Sequence, residues 1–310
     1  MSKKCLIPAF KILIFLVVFG AVGWKFYESW DQMREIHWSP NYLLLTLSGI
    51  CYAVAYIPAA FYWRYAMQTL GQQPGIYETF RAYYIGHLGK YVPGKVMVLV
   101  IRSGLLNHEH TKLSAAAASV FLETMTMMAV GAFVAAAIVV LFLWQGVLEL
   151  PHWLMFLTLG IMGGTVLPIL PPVFHFAARK CRIELQGLRF RTLATGWMFN
   201  IPVWFMLGVS LWLIMLGFGM VSESVFTELL YCTLAVSMAV VLGFATLIPA
   251  GFGARELATM VILAPFFQTH PLPIGVADSA IMAGVVVTVQ RIISILVELS
   301  VSALLVWKRR

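Results

Sequence analysis

Charged residues are so sparse along this chain that the gaps between them, more than any helical or strand period, mark its elements. Lys11 to Lys25 bounds a first apolar stretch and Glu35 to Arg64 a second. Glu123 to Glu149 bounds a third, whose helix starts near Ser114; Glu149 to Arg179, Arg191 to Glu223 and Glu228 to Arg255 follow. Leu257 to Phe267 is apolar but short, and Ala277 to Trp307 is a last span interrupted by Arg291 and Glu298. A helix needs about 20 apolar residues to cross a bilayer, and a charge near its centre costs about 2.5–3.5 kcal/mol on insertion scales. The pattern therefore predicts an all-α polytopic membrane protein with about eight transmembrane helices. One segment does not fit a span. From Thr79 to Leu106 the chain is apolar and aromatic but carries Arg81, Lys90, Lys95 and Arg102, so it predicts a re-entrant or interfacial hairpin with Pro93-Gly94 at its tip.

Composition agrees with this pattern and narrows it. Of 310 residues, 61% are hydrophobic and 11% charged, against about 25% charged in soluble domains, and the mean hydropathy is +0.88. A soluble enzyme fold is excluded, and the expected organisation is a single integral membrane domain over residues 1–310. Its halves look loosely related and admit an inverted repeat: about 1–145 with the re-entrant segment 79–106, and about 150–310 with a broken helix 248–267.

The net charge of +8 reflects topology. Lys3, Lys4 and Lys11, the group Arg64, Arg81, Lys90, Lys95, Arg102 and Lys112, the group Arg179, Lys180, Arg182, Arg189 and Arg191, and the tail Lys308, Arg309 and Arg310 fall on alternate sides of successive spans. The positive-inside rule makes that side cytoplasmic, giving cytoplasmic termini, an even number of crossings and an inner-membrane location. No basic stripe with interleaved aromatics appears, so nucleic acid is not an expected partner. No small-x-small site convincingly precedes Lys25, so the N-terminal run reads as a retained helix. Cys5, Cys51, Cys181 and Cys232 are far apart, without C-x-x-C spacing, and indicate neither zinc nor a disulfide framework.

The strongest candidate chemistry is a pair of Pro/Gly breaks. Tyr91-Val92-Pro93-Gly94-Lys95, with Arg102 beyond it, stands in the first half; Ile248-Pro249-Ala250-Gly251-Phe252-Gly253-Ala254-Arg255-Glu256 stands in the second. Breaks free backbone groups that are tolerated at membrane depth only inside protein or around a polar cavity. Corresponding breaks in two transporter halves point to a substrate site. Turns at the cytoplasmic surface would produce the same pattern.

At these residues the chain resembles the transmembrane region of the lysylphosphatidylglycerol synthase and flippase-like family, through Gly89 to Arg102, Glu123, the IPAGFGARE stretch and Arg291. The resemblance covers nearly the whole chain. It implies handling of a membrane lipid, with aminoacyl transfer assigned to a separate soluble domain that this sequence, stopping at Arg310, is expected to lack. After Glu123 the chain reads Thr-Met-Thr-Met, where relatives often carry further charges.

Intramembrane charges are functional candidates because burying them is expensive. Arg291 and Glu298 are seven residues apart and share a helix face. Arg291 can hold an anionic headgroup through its planar fork. The alternative is that Arg291, Glu298, Glu123, Arg255 and Glu256 only neutralise one another. Lys90, Lys95 and Arg102 can draw anionic headgroups towards a cavity, but positive-inside placement accounts for them equally. His108 and His110 flank Glu109 without further ligands nearby, so no metal site is expected. Asp31 and Asp278 are the only aspartates, which rules out a DxD or multi-aspartate magnesium site. No ATP-binding loop or nucleophile elbow is present, and no cofactor is expected.

Three functions remain open. The first is a flippase-like transporter that binds and translocates an anionic phospholipid or polyprenyl-type lipid, using Lys90, Pro93, Gly94, Lys95, Arg102, Glu123, Pro249, Gly251, Gly253, Arg255, Glu256, Arg291 and Glu298. The second is a membrane-embedded headgroup transferase with Glu123 or Glu256 as base. The third is a non-catalytic partner that presents lipid to a separately encoded lipid-modifying enzyme.

Overall fold

The computed structural model describes residues 40–92, 96–106, 113–148, 151–172, 175–176, 188–221, 224–246, 248–269 and 279–307. The expected first helix, the hairpin tip Pro93-Gly94-Lys95, the His108–His110 loop, Asp31 and Asp278 lie outside these residues. Among the described residues the protein is all-helical, without a strand.

Helix α1 (Tyr42–Ala55) opens on Asn41, whose side-chain oxygen accepts from the backbone N–H groups of Leu43 and Leu44 at 3.1 and 3.3 Å, satisfying two donors that have no partner within the helix. After a one-residue break at Tyr56, α2 (Ile57–Thr69) continues the line, with Pro58 in the first turn, where its missing N–H removes no helical bond. The two form one 28-residue span, and Arg64 lies inside it. Arg64 Nε donates to the Pro74 carbonyl at 3.2 Å.

The segment expected to be re-entrant forms two packed helical legs. α3 (Ile76–His87) and the 3-10 turn Leu88–Tyr91 form one leg, and α4 (Val96–Leu105) forms the other. The legs approach closely at Gly89, where a Cβ would sit 2.7 Å from the backbone nitrogen of Val98. A larger residue there would push the legs apart.

α5 (Leu113–Trp144) is the longest span, apolar all round as expected for a helix between protein and lipid. α6 (His152–Val166) follows, then a 3-10 turn at Leu167–Ile169. The expected crossing from Glu149 to Arg179 is thus a 15-residue helix, about 22 Å long at 1.5 Å per residue, shorter than the roughly 30 Å hydrocarbon core. Pro168 stands in the turn that ends it, and no helical N–H is available at that position. α7 (Phe190–Gly217) and α8 (Val225–Ala245) are full spans. The second break is a 3-10 turn, Pro249–Gly251, leading into α9 (Ala254–Thr269); α10 (Ser279–Trp307) closes the bundle. Among the described residues five helices are long and apolar enough to cross a membrane: Tyr42–Thr69, Ser114–Trp144, Phe190–Gly217, Val225–Ala245 and Ser279–Trp307.

α7 is central, packed against α1, α2, α5 and α8, while α9 lies between α8 and α10. Ser48 of α1 and Ser210 of α7 each donate a hydroxyl to the other's carbonyl, at 2.7 and 2.9 Å. Lipid tails offer helices no hydrophobic reason to associate, so small residues and such hydrogen bonds hold them together. The hairpin docks with α3 against α2 and α10, and α4 against α5. Its tip turn thereby meets the second break.

Candidate functional site

The second break is built by backbone conformation. Ala250 (φ 51°), Gly251 (φ 68°) and Gly253 (φ 81°) are left-handed, which glycine adopts freely and other residues rarely. Glu256, in the first turn of α9, accepts from the Gly253 N–H at 2.6 Å, so the carboxylate caps the helix that follows the break. Arg291 of α10 approaches the same carboxylate, Nε to Oε1 at 3.4 Å, and donates to the Ala250 carbonyl at 3.2 Å. Its guanidinium also lies 4.4 Å from the Phe252 ring centre, a cation–π contact that restrains it further.

The first break reaches the same place from the other side. Tyr91 and Phe252 have ring centroids 6.3 Å apart. Lys90 Nζ donates to Glu298 Oε1 at 2.5 Å; Tyr52 donates to the same oxygen at 2.5 Å, and Tyr91 to Oε2 at 2.9 Å. His87 Nε2 is 3.9 Å away. The Lys90 side chain is only 15% exposed and that of Glu298 5%, so Lys90 is an internal ion-pair partner and not a cation facing the cytoplasm.

Deeper in the hairpin, Arg102 of α4 donates to Glu123 of α5 at 2.7 Å, with side chains 3% and 2% exposed. Tyr83 donates to the other Glu123 oxygen at 2.9 Å, and the Arg102 guanidinium lies 3.9 Å from the Tyr83 ring centre. Lys90–Glu298 and Arg102–Glu123 thus tie the hairpin to two different helices. Replacing Lys90 with Met leaves Glu298 without its cation while its two tyrosine donors remain. The expected loss is about 2–3 kcal/mol, with Lys90→Met/Glu298→Leu closer to wild type, as read by thermal unfolding in detergent.

Between the hairpin, α5, α8 and the second break lies a cavity of about 500 Å³. One part of its wall is polar, with His87, Lys90, Arg102, Glu123 and Arg255; most of the rest is apolar, including Val98, Leu99, Val120, Met127 and Phe244. A smaller cavity of about 50 Å³ lies beside Glu256, Gln290, Arg291 and Ser294. Tyr56 and Arg255 line both. A concave space with a mainly apolar wall and a few converging polar groups is the usual form of a ligand site, and here the shape is amphipathic, as a lipid is.

Of the residues singled out in the sequence, Lys90, Arg102, Glu123, Gly251 and Arg255 line the larger cavity, and Glu256 and Arg291 the smaller. Glu298 holds the hairpin beside them, and Pro249 and Gly253 shape the second break. Pro93, Gly94 and Lys95 lie outside the described residues. Arg291 and Glu298 share a face but pair elsewhere, Arg291 with α9 and Glu298 with the hairpin. Sequence reasoning missed Tyr52, Tyr56, Tyr83 and His87, and names Tyr91 only as part of the first break. Tyr83 and His87 lie within Thr79–Leu106, where the charges and the Pro/Gly pair carry the signal. Among the described residues no three His, Cys, Asp or Glu side chains are placed to hold a metal ion.

A family model described as the lysylphosphatidylglycerol synthase TM region matches residues 9–302. No curated protein matches the chain.

Proposed function

The chain belongs to the lysylphosphatidylglycerol synthase TM region family, and from that premise we propose that it binds an anionic lipid and carries it between leaflets. The observation that carries this reading is the cavity of about 500 Å³, which joins a polar wall with Arg255 in it to an apolar one. A phosphate can sit against Arg255, beside the ion-paired Lys90 and Arg102, while acyl or prenyl chains follow Val98, Val120 and Phe244. The two breaks support it as well, since irregular backbone at membrane depth is tolerated where it lines a cavity. In this reading the protein sits in the inner membrane with both termini cytoplasmic, as the distribution of lysines and arginines in its loops favours.

The transferase alternative needs Glu123 or Glu256 as a base, but both carboxylates are already engaged by donors. Glu123 accepts from Arg102 and Tyr83, and Glu256 from the Gly253 N–H with Arg291 alongside. No observation favours that reading over transport.

Reconstitution in vesicles with leaflet-specific headgroup labelling tests the proposal. Wild type is expected to accelerate exchange of an anionic phospholipid. Arg291→Ala, which removes the cation beside Glu256 and the donor to the Ala250 carbonyl, is expected to lower the rate about tenfold, the scale of losing one partner of a charge pair. Equal rates for wild type, Arg291→Ala and protein-free vesicles would sink the transport claim.

A further inference from the structure

Among the described residues three carboxylates are paired with a lysine or arginine, and the pairs differ in what their members can do. Arg102–Glu123 and Arg291–Glu256 each contain a guanidinium, which keeps its proton in any protein environment. The third joins Lys90 to Glu298 and has His87 Nε2 3.9 Å from the same carboxylate, so each of its members can gain or lose a proton. Two hydroxyls complete it, Tyr52 donating to Oε1 at 2.5 Å and Tyr91 to Oε2 at 2.9 Å. A cavity of about 10 Å³, the room needed by roughly one water, adjoins the carboxylate and is walled in part by Tyr52, Tyr56, Tyr83, His87 and Glu298. Tyr56, Tyr83 and His87 also line the cavity of about 500 Å³, so a polar route leads from that space to Glu298.

The other groups around this cluster are already tied elsewhere or lie beyond it. Cys51 of α1 donates to the Met206 carbonyl at 3.3 Å, Tyr84 to the Ala53 carbonyl at 2.6 Å and Arg81 to the Leu305 carbonyl at 3.3 Å. Arg102 of α4 is paired with Glu123 of α5, and Arg291 lies two turns along α10 beside Glu256 of α9. Arg255 of α9 lies between the two cavities that it lines. α7, also packed on α10, carries no titratable residue from Thr192 to Gly217.

We propose that the His87–Glu298 pair is a proton-binding site and that the proton it takes up travels with the lipid. This rests on the transport reading above and names the coupling ion. The proton comes from water in the larger cavity to the His87 imidazole and passes through the small cavity to Glu298 Oε1. One N–H bond breaks, one O–H bond forms, and His87 returns to its neutral state. Lys90 keeps its ammonium but loses its counterion, and a buried ammonium without one is costly. The turn that carries Lys90 is thereby released from α10, while Arg102–Glu123 still holds the other leg. The proton adds one positive charge, which an anionic headgroup entering the adjoining cavity compensates, so proton and lipid anion move together without net charge. Acidic and histidine side chains within spans serve as proton relays in pumps and transporters.

Two measurements on the full-length chain test this. The first is infrared difference spectroscopy of the purified protein between about pH 8 and about pH 5, a window that spans histidine and carboxylate titration. A protonated carboxyl shows a carbonyl band that a carboxylate lacks, and wild type is expected to gain one such band that Glu298→Gln does not. The second uses phosphatidylcholine vesicles containing labelled phosphatidylglycerol, with a gradient of about one pH unit, worth about tenfold in an equilibrium ratio for one proton. Relative to protein-free vesicles, wild type should concentrate phosphatidylglycerol in the leaflet on the alkaline side, up to about tenfold, and an imposed membrane potential should leave that ratio unchanged. Glu298→Gln should hold the ratio near one. Lys90→Met/Glu298→Leu, expected to stay close to wild type in stability, should lose both the band and the accumulation, so misfolding of Glu298→Gln leaves the test decided. A band that persists in either folded variant, or wild-type exchange that ignores the pH gradient, overturns the proposal. Accumulation on the acidic side overturns joint movement of proton and lipid. The Glu298-dependent band without any lipid exchange overturns the transport reading and leaves the proton site standing.

Discussion

Replacing Glu123 with Ala should destabilise the protein by about 3–5 kcal/mol, the usual cost of stranding one member of a buried ion pair. Arg102 would keep its charge, with its side chain only 3% exposed. Tyr83 would lose the acceptor of its hydroxyl, and Arg102 Nε already has no hydrogen-bond partner. Removing both charges is a different perturbation. Arg102→Met/Glu123→Met fills similar volume with apolar atoms, and such replacements of buried pairs are often neutral. The double variant should therefore recover most of the lost stability, although the polar wall of the cavity is weakened. Thermal unfolding in detergent, followed by tryptophan fluorescence, reads both. A single variant within about 0.5 kcal/mol of wild type, the range of ordinary surface substitutions, would mean that the pair is solvated and not a structural tie.

Gly251→Val carries the second large effect, because two costs coincide there. The left-handed backbone at φ 68° costs an L-residue about 1–2 kcal/mol, and a β-branched residue is especially unsuited to it. The added Cβ would also sit 2.8 Å from the Gly243 Cα and 2.9 Å from Arg255 Nε, and overpacking of this kind costs about 1–3 kcal/mol. The expected loss is about 2–5 kcal/mol, with lipid binding falling further because the arginine is displaced from its slot. Gly104→Ala is the control. A Cβ there meets nothing within 4 Å, and in a helix the change should be neutral or stabilise by about 0.4–1 kcal/mol. Comparable losses at both glycines would show that backbone close approach does not shape this site.

The candidate site was only partly legible in the sequence. Arg102, Glu123, Arg255, Glu256, Arg291 and Glu298 stood out because a charge within an apolar run is rare and expensive. Their partners did not. Seven-residue spacing puts Arg291 and Glu298 on one face, yet each pairs with another element, since ion pairs follow the nearest desolvated partner and not the helix they share. Tyr83 and Tyr91 are uncharged and resemble interfacial aromatics until the hairpin brings their hydroxyls to Glu123 and Glu298. Gly243 carries no signal of its own in the sequence. Its role appears only where Arg255 passes across it.

By itself the sequence determined that this is an all-helical membrane protein, where its long spans lie, and that Thr79–Leu106 departs from them. Those properties depend on local transfer free energies, which each stretch carries regardless of its neighbours. The tertiary structure decided that the two Pro/Gly breaks meet, which carboxylate neutralises which cation, and that Arg255 lies against Gly243 and Gly251 beside the cavity. Those are properties of distances between residues up to about two hundred positions apart, as between Lys90 and Glu298, and in a low-dielectric interior a few ångströms separate a paired charge from an unpaired one.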